Sequence, residues 1–217
     1  MSKMHLAYSK IPNSEQCLLN NCIAFEKYDG TNIHVVWNKK WGWIDFGTRR
    51  DRFPLNNVGI NEFFKCHPEL GDDKTLKLIS NISDKILDFV CENTNYNIYT
   101  EVIVFMEYHG PNSFAGQHDP KDIKKLTLID VMTDGQIIPP QQFLDDFKDF
   151  DIAKVIYKGK YSGQFSEDVR NGKYPVNEGV VCKGIIDNKV YMCKIKTNVY
   201  MNKLQTQFKD NWKDYWE

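Results

Sequence analysis

The sequence lacks the usual signs of a structural metal. Its six cysteines stand at positions 17, 22, 66, 91, 182 and 193, none forms a C-x-x-C pair, and no two histidines have zinc-ligand spacing. The N-terminal stretch MSKMHLAYSKIPNSEQ has no apolar core of signal-peptide length. Without an export signal, reduced thiols in a cytosol are the expectation, and localisation is expected to be cytoplasmic, or host-cytoplasmic for a viral protein. No apolar run approaches the ~18 residues of a membrane span, so no membrane partner is expected. There is no excess of basic charge: the net charge is −1 over 217 residues. A polyanion would therefore have to be met by a local patch. Repeats, low-complexity tracts and an evident interdomain linker are also missing.

What is present is ordinary for a soluble globular protein, with 41% hydrophobic and 26% charged residues. NIHVVW alternates apolar and polar residues, and WGWIDFGTRR follows after Lys39-Lys40, which predicts a hairpin. NIYTEVIVFMEYHG and KLTLIDVMT read as strands closed by turns. EGVVCKGIIDNKVYMCKIKT reads as a hairpin around Asp187-Asn188, with Cys182 and Cys193 in its core.

Helical period appears in LKLISNISDKILDFVCEN, with Asn93 as its stop, and in a C-terminal segment carrying Leu204, Phe208 and Trp212. PPQQFLDDFKDF starts with prolines suited to a helix N-terminus. With no βαβ rhythm, the predicted class is α+β, with antiparallel sheets flanked by helices and one domain spanning 1–217. Charge is uneven: residues 154–203 hold ten Lys/Arg against four Asp/Glu, and residues 133–151 hold five acidic residues against one lysine.

Four short segments carry the chemistry. They are Lys27-Tyr28-Asp29-Gly30, FMEYHG with Glu107, EGVVCKG with Glu178, and KIK with Lys194 and Lys196. Each has an ordinary reading: a tight Asp-Gly turn, a strand-end carboxylate, a turn into a buried strand, a solvent-facing pair of lysines. Their joint order on strands is what separates them from chance.

In that order the chain resembles the covalent nucleotidyltransferase superfamily of ATP-dependent nucleic-acid ligases and messenger-RNA capping enzymes. The resemblance runs from Phe25 to Thr197 through EKYDGTN, GTRR, FMEYHG, EGVVCKG and KIK. DNA ligases and capping enzymes usually carry arginine two residues after the motif glycine. Here that residue is Asn32, as often in RNA-sealing ligases, including minimal viral or phage ones.

The resemblance implies a nucleotidyltransferase (ATP-grasp-like ligase) fold, ATP with Mg2+ or Mn2+, and a lysyl-AMP intermediate on Lys27. It implies AMP transfer to a 5′-phosphate and sealing by a 3′-hydroxyl, on RNA ends or a nicked duplex. It implies nucleotide contacts from Glu26, Gly30, Asn32, Arg49 or Arg50, Glu107, Lys194 and Lys196, and a metal-site carboxylate at Glu178.

Two departures stand out. KLTLIDV offers Leu126, Leu128 and Ile129 where relatives stack an aromatic ring on adenine. Only twenty residues follow Thr197, so no OB-fold or helical accessory domain is expected, and a protein partner would have to replace it. Asn112, Ser113, Gln117 and His118 could line the site or build a loop, the loop being the expectation. A DNA ligase, a GTP-using capping enzyme and a nucleic-acid end-binding module with weak catalysis are the competing readings.

Overall fold

The alternation of β-branched and polar residues from Gly30 to Asn38 does form a strand, and the rest of the architecture is built the same way. The computed structural model describes residues 7–70, 73–93 and 95–215. In chain order these form β1 (Asn21–Lys27), β2 (Gly30–Asn38), β3 (Gly42–Thr48), β4 (Phe53–Pro54), α1 (Asn57–Cys66), α2 (Asp73–Glu92), β5 (Glu101–His109) and β6 (Lys125–Thr133). Then come β7 (Gln136–Ile137), α3 (Pro140–Asp146), β8 (Val155–Lys160), α4 (Gly163–Arg170), β9 (Gly179–Ile186), β10 (Lys189–Lys196) and α5 (Asn198–Phe208). The fold is α+β with antiparallel sheets. Among the described residues no helix is long and apolar enough to cross a membrane.

The chain divides into two compact units, one of Lys10–Asp29 with Pro139–Glu217 and one of the chain to Ser9 with Gly30–Ile138. The first is built on a four-stranded sheet in the order β10-β9-β1-β8. One face of it is apolar: Ala24, Val180, Cys182, Cys193 and Ile195 pack with Phe165 and Val169 of α4. Helix α4 starts where the Ser162 hydroxyl accepts from the Phe165 N–H, and Phe165 stacks on Tyr157 with ring centroids 4.2 Å apart. The β9–β10 hairpin turns at Asp187-Asn188, both in the left-handed region at φ 49° and 61°, as a type I′ turn requires. Thr197 caps α5 through the Tyr200 N–H.

The other unit carries a six-stranded sheet in the order β4-β3-β2-β5-β6-β7. β2 and β5 pair over their full length, from Gly30↔His109 to Asn38↔Glu101. Phe63 of α1 closes one end against Phe46 and Phe53. In α2, Ile79, Ile86 and Val90 are buried at helical spacing and the helix packs on β6. The side chains of Leu76 and Leu87, part of the same sequence pattern, lie outside the described residues.

His34, on β2, is fully buried and neither ring nitrogen has a hydrogen-bond partner. Burial, and then the nearby Arg52 charge, pull its pKa down to about 4, against the opposing pull of the Thr48 backbone, whose contact falls short of a well-formed hydrogen bond, and of Asp51 and Asp45. In the unfolded chain a histidine titrates near ~6.5, so the unfolded state takes up a proton first as pH falls. Stability is therefore lost from about pH 6.5 down to about pH 4, by about 3 kcal/mol for this residue once both states are protonated. His34→Leu is expected to flatten that slope without loss at neutral pH, read from urea unfolding between pH 7 and pH 4. An unchanged slope would contradict the assignment.

Candidate active site

Strand pairing puts the candidate residues of the first unit on one sheet face. Lys27 of β1 lies opposite Gly179 of β9, and Gly179 lies opposite Lys196 of β10. In an antiparallel sheet, directly opposed residues share a face, and every second residue returns to it. Phe25, Lys27, Val181, Lys183, Lys194 and Lys196 therefore face one way, away from the apolar side covered by α4. Lys183, Lys194 and Lys196 are 3%, 5% and 8% exposed, so this is a buried row of cations rather than a solvated one.

Glu178 pairs with two members of this face, Lys27 and Lys196. It is 2% exposed, and its two carboxylate oxygens lie 2.9 Å from the Lys27 ammonium. One of them is also 3.0 Å from Lys196 Nζ. Its carbonyl accepts from the Thr197 N–H at 2.9 Å, tying the end of β10 to the start of β9. Glycine is required at 179 because a Cβ there would run into the Ile195 carbonyl oxygen. Lys196 also sits over the Tyr200 ring. Its pKa is lowered: burial is the largest cause and the Lys27 charge adds to it, while Glu178 opposes both.

Lys183 belongs to the same face, and the sequence pattern did not single it out. Its ammonium lies 4.7 Å from the Phe25 ring centroid and 5.5 Å from that of Phe143. The period-two alternation of EGVVCKG was the available signal, since it puts residue 183 on the face of Lys27. Glu26 is turned to the other face. Its N–H bonds the Lys154 carbonyl, and burial raises its pKa against the pull of Lys154 and of Tyr28.

The candidates in the second unit also share a sheet face. Asn32 and Glu107 are directly opposed on β2 and β5, as are His34 and Phe105. Asn32 Nδ2 reaches the Met106 carbonyl at 3.4 Å, while its Oδ1 is buried with no partner, an acceptor left open beside Glu107. Gly30 is forced by close approach, because a Cβ would strike the Tyr108 carbonyl.

Arg49 is engaged with backbone: its Nε and Nη2 donate to the carbonyls of Tyr8 and Ser9 at 3.1 and 3.0 Å. Arg50 donates its N–H to the Thr48 hydroxyl. The segment that Arg49 holds supplies an aromatic ring that β6 does not. Tyr8 packs on Phe105 at 4.8 Å, and its hydroxyl donates to the buried Asp130. Burial, then Asp130, push the Tyr8 pKa well above the usual range. Leu126 and Leu128 are buried in β6.

The loop after β5 closes on itself. Asn112 donates from both its N–H and its amide to Asp122, and Ser113 accepts from Gly110 N–H. The His118 ring bridges Thr31 and Ser113, at 2.8 and 3.1 Å. Thr31 is the residue before Asn32, so this loop braces the strand that follows the lysine motif.

No family model matches the sequence, and none of the curated proteins matches it. Solved structures do match. A Naegleria gruberi RNA ligase with pyrophosphate aligns over 93% of this chain and 59% of its own, with TM-score 0.61 and 14% identity. This chain has the nucleotidyltransferase fold of that ligase. A variant of the same ligase with ATP and Mn gives TM-score 0.58 and 15% identity over 91% of this chain and 58% of its own. An archaeal ATP-dependent RNA ligase gives 0.53 and 12% over 93% and 51%. The chain spans a little over half the length of these structures.

Removing the shared carboxylate would leave Lys196 buried without its ion pair. Glu178→Ala is expected to cost about 3–5 kcal/mol, and adding Lys196→Met should recover most of it. Urea unfolding of the two variants is the check. Equal stability of wild type and Glu178→Ala would contradict the buried pairing.

Proposed function

We propose that the chain is an ATP-dependent RNA ligase acting through a lysyl-AMP intermediate on Lys27. The observation that carries this reading is the row of buried Lys183, Lys194 and Lys196 with half-buried Lys27 on one sheet face, Lys27 and Lys196 being held by Glu178. Desolvating lysines is costly, and a structural role would not need several of them on one face. A triphosphate is the ligand whose charge such a row would meet. The resemblance of the five sequence motifs and the RNA-ligase fold point the same way.

The chemistry follows from the residues. To act as a nucleophile, Lys27 must leave its ion pair with Glu178 and give up a proton. Its nitrogen then attacks the α-phosphorus, an N–P bond forms, and the bond to pyrophosphate breaks. Lys194 and Lys196 hold the α-phosphate and stabilise the charge that grows on it. The lowered pKa of Lys196 comes mainly from burial, and a desolvated cation attracts phosphate more strongly than a hydrated one. Asn32, with its open acceptor, and Glu107 are assigned to the nucleoside, and Gly30 to the tight backbone beside it. A glutamate opposite Asn32 suits ribose hydroxyls, which donate. AMP then passes to a 5′-phosphate, and a 3′-hydroxyl displaces it. Arg49 and Arg50 are assigned to nucleotide or end phosphates, Arg49 after release from the Tyr8 and Ser9 carbonyls. Glu26 contributes through backbone.

The donor set fits a hard divalent cation. Glu178 is a buried carboxylate among phosphate-seeking lysines, and Mg2+ or Mn2+ takes such an oxygen with phosphate oxygens and water completing its shell. Among the described residues no group of three or more His, Cys, Asp or Glu could hold a metal. When bound, the cation supplies positive charge opposite the phosphates.

RNA is the proposed substrate because Asn32 stands where DNA-joining relatives carry arginine, and a ribose 2′-hydroxyl can be read by hydrogen bonds. A protein partner and a cytoplasmic site of action are parts of the same proposal. Incubated with labelled ATP and Mn2+, the protein should become covalently labelled, GTP should not label it, and Lys27→Ala should remain unlabelled. It should then seal a nick whose 3′-hydroxyl strand ends in ribose faster than one ending in deoxyribose. Labelling of Lys27→Ala, preference for GTP, or faster sealing of the deoxyribose end would each overturn the corresponding part.

A further inference from the structure

The face of the four-stranded sheet opposite the lysines carries a ladder of thiols. Cys182 and Cys193 are directly opposed on β9 and β10, and both are fully buried. Cys182 is also in hydrogen-bond contact with Cys22 of β1, and Cys193 with Cys17. Cys17 lies outside the sheet, in the segment that runs along the free edge of β10. That segment is tied to β10 at several points. The Lys194 N–H donates to the Pro12 carbonyl at 2.9 Å, Asn13 bridges Lys194, and the Tyr191 hydroxyl donates to the Gln16 carbonyl at 2.7 Å. The two sulfurs of Cys17 and Cys193 come within 2.8 Å of each other, about 0.8 Å beyond the length of a disulfide bond. Cys17 is half-buried, so small oxidants reach one end of the pair while the other end is held in place behind it.

We propose that Cys17 and Cys193 are a site of reversible covalent modification, at which hydrogen peroxide closes a disulfide that clamps the edge segment to the strand carrying Lys194 and Lys196. The Cys17 sulfur attacks a peroxide oxygen, the O–O bond breaks, and water leaves, giving a sulfenic acid at Cys17. The Cys193 sulfur then attacks the Cys17 sulfur, the S–S bond forms, the S–O bond breaks, and the departing hydroxide takes the remaining thiol proton as a second water. The two thiols together lose two electrons and two protons, and the peroxide receives them. Burial raises the Cys17 pKa to about 12, with the Cys193 contact adding to it. Contact with Cys182 lowers that of Cys193 to about 7, against its burial. Cys193 is thus suited to the second attack, the resolving one, while Cys17 meets the oxidant first because it is the half-buried end of the pair, its raised pKa making that first attack slow. Cys66 and Cys91 are exposed but have no such neighbour among the described residues, so the same oxidant finds no intramolecular partner there.

The site stands on the thiol geometry alone and does not depend on the ligase reading. The test treats the wild-type protein with stoichiometric hydrogen peroxide, blocks remaining thiols by alkylation, and maps the digest without reduction. The expected result is a cross-linked pair of peptides containing Cys17 and Cys193, lost on treatment with dithiothreitol and absent from Cys17→Ser. Amide exchange at Lys194 should slow in the oxidised protein, because its bond to Pro12 would be locked. Sulfinic acid at Cys17 with Cys193 still open to alkylation once the protein is unfolded would overturn the proposal. So would a cross-link between Cys182 and Cys193, or unchanged exchange at Lys194.

Discussion

The candidate site depends on one buried carboxylate shared by two ammonium groups. Glu178 has almost no contact with solvent, and Lys27 and Lys196 reach it from the strands on either side. An ion removed from water in this way is stable only when its partners are fixed. The surrounding sequence meets that demand: Gly179 lets the β9 backbone approach the Ile195 carbonyl, and Thr197 closes the end of β10 on Glu178. The same arrangement keeps the proposed nucleophile paired at rest. A cation that competes for Glu178 would shift Lys27 from a structural partner toward a free amine.

The lysine motif is also where the chain passes between its two units. Lys27, Tyr28 and Asp29 end a segment of one unit, and Gly30, Thr31 and Asn32 open the other. Six consecutive residues thus belong to two units. Each half is braced within its own unit, Lys27 by Glu178 and Thr31 by His118.

Much of this was legible in the sequence, for identifiable reasons. Strands with clear alternation, such as NIHVVW, and the Asp187-Asn188 turn carry local signals that the tertiary structure did not override. The buried Cys182 and Cys193 followed from their apolar runs. Helices α1 and α4 were not legible, because GQFSEDVR and NVGINEFFKC are too short for a helical period to stand out. β8 was hidden by the lysines and glycine of VIYKGK, which an edge strand tolerates. Within the site, the motif residues were found by order and spacing. The packing of Lys183 on two phenylalanines, the hold of Arg49 on the Tyr8 and Ser9 carbonyls, and the ring of Tyr8 on Phe105 join residues distant in sequence. No periodicity encodes such contacts.

The central claim is that Glu178 keeps the Lys27 amine paired and so sets its reactivity. The most direct measurement is the rate at which Lys27 is modified by an amine-directed reagent at mildly alkaline pH, read by peptide mass spectrometry in wild type and Glu178→Gln, with an exposed lysine such as Lys40 as internal reference. Loss of the carboxylate removes the charge that favours the ammonium form, so modification of Lys27 should accelerate several-fold in Glu178→Gln while the reference stays constant. An unchanged or slower rate at Lys27, in a variant that remains folded, would contradict the account.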